Sequence, residues 1–368
     1  MRNLISIIRS GLLTAIYLLI ACCLGCSGPG QKETLQSVSS FPVGVAVGEA
    51  LLWENRAYRN VVLQEYNSLT PENAGKIEVL HPEEKRFDFS GLDTIVAFAQ
   101  RHGKRVHATT LIWHETSDLT WLQEFSGDPA AWENLFRNHI QTVAGHYKGK
   151  VASWDVVNEP FHDNGSLRKE EGARGDNPGS LWARHLGNDY IARAFQYAHE
   201  ADPGAMLFLN DFDLQYAKYQ AKIDSVVKLA MDFKRRGIPI HGLGMQMHTG
   251  ISASNEEIAS GLRALASTGL MVHVSEVSLL VSDWKRDTSL ILTPELAKKQ
   301  SEKYEALVRV YKESVPAAQR YGITIWGVSD VDSWIMPMFN LRDWPLPFDS
   351  LYRKKPAYFG FLKGLKQQ

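Results

Sequence analysis

Two glutamates stand where a carboxylate is costly to keep. Glu159 follows the run Trp154-Asp155-Val156-Val157-Asn158, and Glu276 ends Val272-His273-Val274-Ser275-Glu276. A carboxylate at the end of a buried apolar run bears a desolvation penalty unless it serves a purpose. Taken singly, either glutamate reads more readily as a structural residue. Taken together they are what cleavage of a glycosidic bond with retention requires: two carboxyls about 5–5.5 Å apart, one attacking the anomeric carbon, the other protonating the leaving oxygen and later activating water. The two tasks need different proton affinities. The attacking carboxyl is expected to be held ionised by donors, and the acid to be raised by burial and by its neighbour's charge.

Such a pair needs elements that converge. Apolar, β-rich runs recur at Val43–Val47, Glu65–Leu69, Arg105–Trp113, Val151–Val157, Met206–Asp211, Gly242–His248, Met271–Leu279 and Ile323–Ser329. Between them lie helical stretches at Gly91–His102, Trp132–Tyr147, Asp189–Glu200, Ala217–Arg236, Asn255–Ser267 and Pro294–Tyr321, with further helical character at Glu49–Asn60 and Pro356–Leu365. Strands alternating with helices imply parallel pairing through right-handed crossovers. A closed barrel and an open doubly wound sheet both satisfy that pattern. The open nucleotide-binding form usually carries a Gly-rich phosphate turn after its first strand; here Val47-Gly48-Glu49-Ala50 follows instead. The expected fold is therefore α/β, a single-domain (β/α)8 TIM barrel, whose active site lies at the C-terminal ends of the strands. Nearly every run delivers a polar or flat side chain there: Asn67 with Glu72, Asn73 and Lys76; Trp113 and His114; Asn158 and Glu159; Asn210 and Asp211; Gln246 and His248; Glu276; Trp326, Asp330 and Trp334.

Composition narrows the function classes. The chain has 368 residues and a formal net charge of -1, which gives a polyanion such as nucleic acid no purchase. There are 3 cysteines, Cys22, Cys23 and Cys26, so the body carries neither a disulfide framework nor a cysteine-ligated metal. No H-E-x-x-H spacing occurs, and no cofactor or metal is expected. Arg2 and Arg9 precede the apolar stretch Leu12–Leu24, a signal-peptide core too short to span a membrane. Leu19-Ile20-Ala21-Cys22 is like a bacterial lipobox, with Leu24-Gly25-Cys26 a weaker second candidate, and an ordinary secretory leader is the other reading. The expected organisation is a leader over residues 1–26, a flexible tether over 27–40 and a catalytic domain over 41–368, in an exported protein that meets the membrane only through a lipid anchor.

The motifs resemble glycoside hydrolase family 10, the xylanase family, across residues 43–365. WDVVNEP at Trp154–Pro160 is the most specific; NSLTPEN at Asn67–Asn73, GLGMQMH at Gly242–His248 and ITIWGVSDVDSWI at Ile323–Ile335 follow in the family's order. The resemblance implies Glu159 as acid/base and Glu276 as nucleophile. It gives Asn158 a hydrogen bond to the 2-hydroxyl of the reacting sugar and His248 the task of orienting Glu276. Gln246 would hold the reacting sugar or the nucleophile. Glu72, Asn73 and Lys76 would bind the next sugar; Trp326 and Trp334 would wall the cleft, with Trp113 beneath, and His114 counts among the substrate-binding residues. The implied substrate is xylan or xylo-oligosaccharide. Trp154 and Asp155 read as structural, and His107, His146 and His199 as packing or surface residues.

Four positions depart from the family pattern. Thr109 replaces a sugar-binding His, Thr116 a Gln, Phe212 a Tyr, and Ser278 the Asp that follows the nucleophile. Each lost hydrogen bond is worth about 0.5–1.5 kcal/mol. All bear on recognition and none on the carboxylate pair. Two other readings therefore stay open: a retaining enzyme for β-glucan or mannan, and a non-catalytic glycan-binding surface lipoprotein. Residues 161–186, rich in glycine and charge, form a long insertion after Glu159, expected to flank the leaving-group side.

Overall fold

The computed structural model describes residues 33–115, 119–169 and 179–367. The leader, the first part of the tether and Thr116 lie outside them. Among the described residues nine parallel strands follow in chain order: β1 (Val43–Val47), β2 (Ser68–Pro71), β3 (Arg105–Ile112), β4 (Ser153–Asn158), β5 (Met206–Asp211), β6 (Gly242–Met245), β7 (His248–Gly250), β8 (Met271–Leu280) and β9 (Arg320–Ile325). β1 pairs with both β2 and β9, and β6 with both β5 and β8, so eight strands close a ring. The short β7 stands off this ring against the far end of β8, with His248 level with Ser278. This is the (β/α)8 barrel expected from the alternation.

Both faces of the strands are covered, which is why the runs are apolar throughout rather than alternating. Val43, Val45 and Val47 are fully buried, as are Val272, Val274, Val277 and Leu279 on β8. The outer helices start and stop for local reasons. Asp128 caps Pro129–His146 by accepting from Ala131 N at 2.8 Å, and Thr293 caps Pro294–Ser314, which has proline in its first turn. Gln220–Arg236 ends on Gly237 at φ 69°, with the Gly237 N–H bonded back to the last turn.

Several boundaries depart from expectation. The last long helix ends at Ser314 rather than reaching Tyr321, because Val315 precedes Pro316 and that position disfavours helix. β2 begins at Ser68, since Glu65 still belongs to the helix Arg56–Glu65. The sixth run breaks at Met247, at φ 68°, into β6 and β7. The tether expected over residues 27–40 is packed from Leu35 onward. Leu35–Val38 forms a helical turn, Leu35 is fully buried, and its N–H donates to Glu65 Oε2 at 3.0 Å. Burying one leucine contributes about 1.5–3 kcal/mol toward holding that segment to the barrel, beside its bond to Glu65.

Candidate active site

At the C-terminal end of the barrel the loops surround a cleft of about 940 Å³. Its lining draws on almost every strand: Glu72, Asn73 and Lys76 beyond β2, Trp113 after β3, Asn158 and Glu159 from β4, and Phe212 and Asp213 after β5. Gln246 comes from just past β6, His248 and Glu276 from β7 and β8, and Trp326 and Trp334 from beyond β9.

The two glutamates belong to one hydrogen-bonded network. Asn210 Nδ2 donates to Glu276 Oε1 at 2.8 Å and to Asn158 Oδ1 at 2.9 Å. Asn158 Nδ2 donates in turn to Glu159 Oε1 at 3.2 Å, so two amides bridge the two carboxyls. Ser275 Oγ donates to Asn210 Oδ1 at 2.7 Å and fixes which way the bridging amide faces. A Cβ at Gly244 would stand 2.1 Å from that same oxygen, so β6 needs glycine there. The outer carboxylate atoms are held as well. Gln246 Nε2 donates to Glu159 Oε1 at 2.7 Å and Trp113 Nε1 to Oε2 at 3.0 Å. His248 Nε2 lies 3.2 Å from Glu276 Oε2.

The backbone repeats the connection. Glu159 N donates to Asn210 O at 2.8 Å, Gln246 N to Asp211 O at 3.1 Å, and Glu276 N to Gln246 O at 2.7 Å. Glu159 itself sits at φ 53°, a left-handed conformation that costs a non-glycine residue about 1–3 kcal/mol and is kept only where the surroundings impose it. That turn carries the side chain off the strand and into the cleft.

Burial pushes the Glu276 carboxyl up, against the hydrogen bond and field of His248, and the neighbouring Glu159 charge adds to the rise. Burial acts the same way on Glu159, but His114, the Gln246 and Trp113 donors and Lys222 together outweigh it and bring Glu159 below its ordinary value. This reverses the order anticipated for an acid and a nucleophile. The reversal leans most on His114, whose own pKa burial lowers to about 3. Above that pH its ring is neutral and the attraction it would exert on Glu159 is gone. What persists is the mutual repulsion of the two carboxyls, so ionising one raises the other. Glu72, at the cleft's edge, is raised by burial to about 7 despite Lys76.

The remaining expected residues take distinct places. Lys76 Nζ donates to Asn73 Oδ1 at 2.9 Å and lies 5.2 Å from the centre of the Trp113 ring. His248 meets Trp334 edge-on at 5.2 Å and Trp326 at 6.3 Å. Gln246, expected on the sugar or the nucleophile, reaches Glu159 Oε1 with its side chain and accepts from Glu276 N with its backbone oxygen. His114, expected among the sugar-binding residues, is buried behind Trp113, its Nδ1 3.9 Å from Glu159 Oε2, and is not part of the described lining. Of the departures, Ser278 Oγ lies 3.2 Å from His248 Nδ1 and so keeps a hold on that ring. Phe212 lies under the Lys222 ammonium, 3.3 Å from its ring centre, where that lysine pairs with Asp211 at 2.8 Å. Thr109 lines the cleft.

Sequence reasoning left three residues out of the site. Asn210 was legible, as a third amide at a strand end. Lys222, fully buried on an otherwise amphipathic helix, carried no signal. Arg168, also fully buried, was hidden in a loop whose composition reads as solvated.

Comparison with known proteins agrees with this architecture. The profile of glycosyl hydrolase family 10 matches residues 32–364. An endo-1,4-beta-xylanase of Geobacillus stearothermophilus is 36% identical over 342 residues, covering 90% of this chain and 97% of that one. The structure of a thermostable mutant of the xylanase Xyn10A from Cellvibrio japonicus superposes with a TM-score of 0.81 at 33% identity, over 90% of this chain and 99% of the other. A mutant of xylanase 10C from the same organism, in complex with xylopentaose, gives a TM-score of 0.83 at 30% identity, over 91% and 69%. This chain belongs to glycosyl hydrolase family 10.

Proposed function

We propose that the protein is a retaining endo-1,4-β-xylanase in which Glu276 is the nucleophile and Glu159 the acid/base. The observation that carries the reading is the amide bridge Glu276–Asn210–Asn158–Glu159 at the floor of one cleft. Two buried carboxyls held in a common frame are what double displacement needs, and binding alone would not need both. In the first step Glu159 gives its proton to the glycosidic oxygen while a Glu276 oxygen bonds to the anomeric carbon and the C–O bond to the leaving sugar breaks. In the second, Glu159 takes a proton from water, the water oxygen attacks that carbon, and the ester to Glu276 breaks. Two inversions give net retention.

Asn210 and His248 hold the two oxygens of Glu276 and so aim it, while Asn158 is placed to meet the 2-hydroxyl of the reacting sugar. Trp326 and Trp334 supply apolar walls, and Glu72, Asn73 and Lys76 bind the neighbouring sugar. The names of the relatives and the xylopentaose complex support xylan as the polymer. The leader supports export, with a lipid anchor at Cys22 or Cys26 or, on the other reading, as an ordinary secreted protein.

The test is product analysis of residues 27–368 on xylan, mixed-linkage glucan and mannan, beside Glu159→Gln and Glu276→Gln. Xylo-oligosaccharides are expected from the parent. Glu276→Gln should lose at least about 10⁴-fold in turnover and Glu159→Gln about 10²–10⁴-fold on the polymer. Products from glucan or mannan alone would move the substrate and keep the mechanism. Binding to a glycan without any product would overturn the enzyme reading.

A further inference from the structure

We propose that Arg168 is a positioning residue for Glu159, clamping from behind the left-handed turn that aims the acid/base carboxyl into the cleft. This rests on the assignment of Glu159 as the acid/base.

Glu159 must leave β4 at φ 53°, and something has to hold the chain there. On one side Asn210 O accepts its N–H at 2.8 Å. On the other side is Arg168. Its Nε donates to Glu159 O at 3.1 Å, its Nη2 to Phe161 O at 3.0 Å, and its own backbone N–H to Pro160 O at 2.8 Å. One residue thus engages three successive carbonyls, those of residues 159, 160 and 161. The guanidinium is a rigid, planar fork, and reaching two carbonyls at a fixed separation is what that shape does and a lysine ammonium does not. Its Nη1 stands 3.4 Å from His162 Nδ1.

Arg168 is itself built in. It is fully buried. The turn that carries it closes through a bridge between Phe161 and Leu167 and a bond from His162 N to Ser166 O at 2.9 Å. At its tip Gly165 has φ 81°, and an added Cβ would stand 2.4 Å from Ala221 O on the helix Gln220–Arg236. Ser225 Oγ of that helix donates to Gly165 O at 2.8 Å. The barrel's own helix therefore seats the turn, the turn seats Arg168, and Arg168 seats Glu159. A fully buried guanidinium is expensive to desolvate, and here it is directed at the backbone of the turn that must be aimed, Nε at Glu159 O and Nη2 at Phe161 O.

A misaimed acid has a distinctive kinetic signature. Leaving groups that need a proton suffer, and leaving groups that depart unaided do not. The experiment measures kcat/KM for Arg168→Lys and Arg168→Met on xylan and on a dinitrophenyl xylobioside. Rates are normalised to sites counted by covalent trapping of Glu276 with a 2-deoxy-2-fluoro dinitrophenyl glycoside, so that misfolded molecules drop out. Expected is about a 10–100-fold loss on xylan with less than about a threefold loss on the activated substrate, and a larger loss for Met than for Lys. Equal losses on both substrates per trapped site, or no loss on either, would overturn the proposal. Glu159→Ala runs in parallel. If it lacks the same selectivity between leaving groups, and azide does not rescue its turnover, the acid/base assignment fails. If it shows both and the Arg168 variants do not, only the role of Arg168 fails.

Discussion

Strands β3, β4 and β8 each carry polar groups at two levels, and the levels differ in use rather than in chemistry. At the lower level His107 Nδ1 lies 2.6 Å from Ser153 Oγ and His107 Nε2 lies 3.1 Å from Asp155 Oδ2. Ser153 Oγ is also bonded to Tyr321 OH, and His273 Nε2 lies 2.8 Å from Thr324 Oγ1. Serine, histidine and aspartate in line are the components of a nucleophilic triad. At the upper level stand Trp113, Asn158, Glu159 and Glu276. Ser153, His107 and Asp155 are 0%, 1% and 2% exposed and are not part of the cleft lining, whereas Asn158 and Glu276, at 7% each, open onto it. In this fold, height along a strand decides whether a buried polar cluster binds the barrel together or does chemistry. Residue type alone does not.

The sharpest way to break that contrast is at the upper level, with Asn210→Ala. It removes the amide that bonds both Glu276 and Asn158 and leaves a Ser275 hydroxyl without its acceptor. The expected loss in kcat/KM on xylan is of order 10²-fold or more, as for removal of a preorganised donor in a dry site. Thermal unfolding should shift by only a few degrees. A fall of less than about threefold would mean the bridge is incidental to the chemistry.

The lower level should give the opposite pattern. His107→Leu strands the Asp155 carboxylate inside the barrel and leaves Ser153 only its bond to Tyr321, a defect expected to cost about 3 kcal/mol of stability. Per folded molecule, kcat/KM should stay within about twofold of the parent. A large activity loss in the folded fraction would show that the two levels are coupled.

How far the two levels were legible in sequence follows from the same physics. The upper residues end apolar runs, and a polar side chain after such a run is conspicuous; hence Glu159, Glu276, Gln246 and His248 stand out. His107 and Ser153 lie within their runs, where nothing marks them as one cluster until β3 and β4 are set in register, with His107 level with Ser153. Residues that act from behind are quieter still. Arg168 looks like loop charge and Lys222 like the solvated face of a helix, because burial against a neighbouring element is a tertiary fact. The fold itself was readable from alternation, and its errors were local: Pro316 ended a helix early, and Met247 turned left-handed and split a strand. The acid strengths were the least accessible, since their order depends on which donors face each carboxyl and on whether His114 carries a charge.

Glu72 sharpens the comparison through pH. Its carboxyl is raised by burial to about 7 from an ordinary 4.5. Below pH 4.5 it is protonated in the folded and unfolded chains alike. Between 4.5 and about 7 the unfolded chain has released a proton that the folded one keeps, so its contribution to stability falls as pH rises and levels off above about 7. Glu72→Gln should flatten part of that slope when the unfolding midpoint is followed from pH 4.5 to 7.5. An unchanged slope would show that Glu72 ionises freely in the folded protein. Because Glu72 lines the cleft, the same variant should also weaken KM for xylan, an effect no lower-level variant should share.

The smallest expected effect tests the most tempting misreading. Ser153 has the histidine and the aspartate that would activate a nucleophile, yet its hydroxyl is fully buried. A nucleophile must meet a reacting carbon at about 3–3.5 Å, and a hydroxyl packed beneath the strands' polar ends has no such approach. Its bonds to His107 and Tyr321 are instead links in a network that joins β3, β4 and β9. Ser153→Ala takes a buried partner from both His107 and Tyr321 and should therefore cost about 1–3 kcal/mol of stability. It should leave kcat/KM within error of the parent, and a serine-directed phosphonate should fail to label the native enzyme. Labelling at Ser153, or a tenfold loss of turnover in the folded variant, would place chemistry at the lower level and undo the division by height.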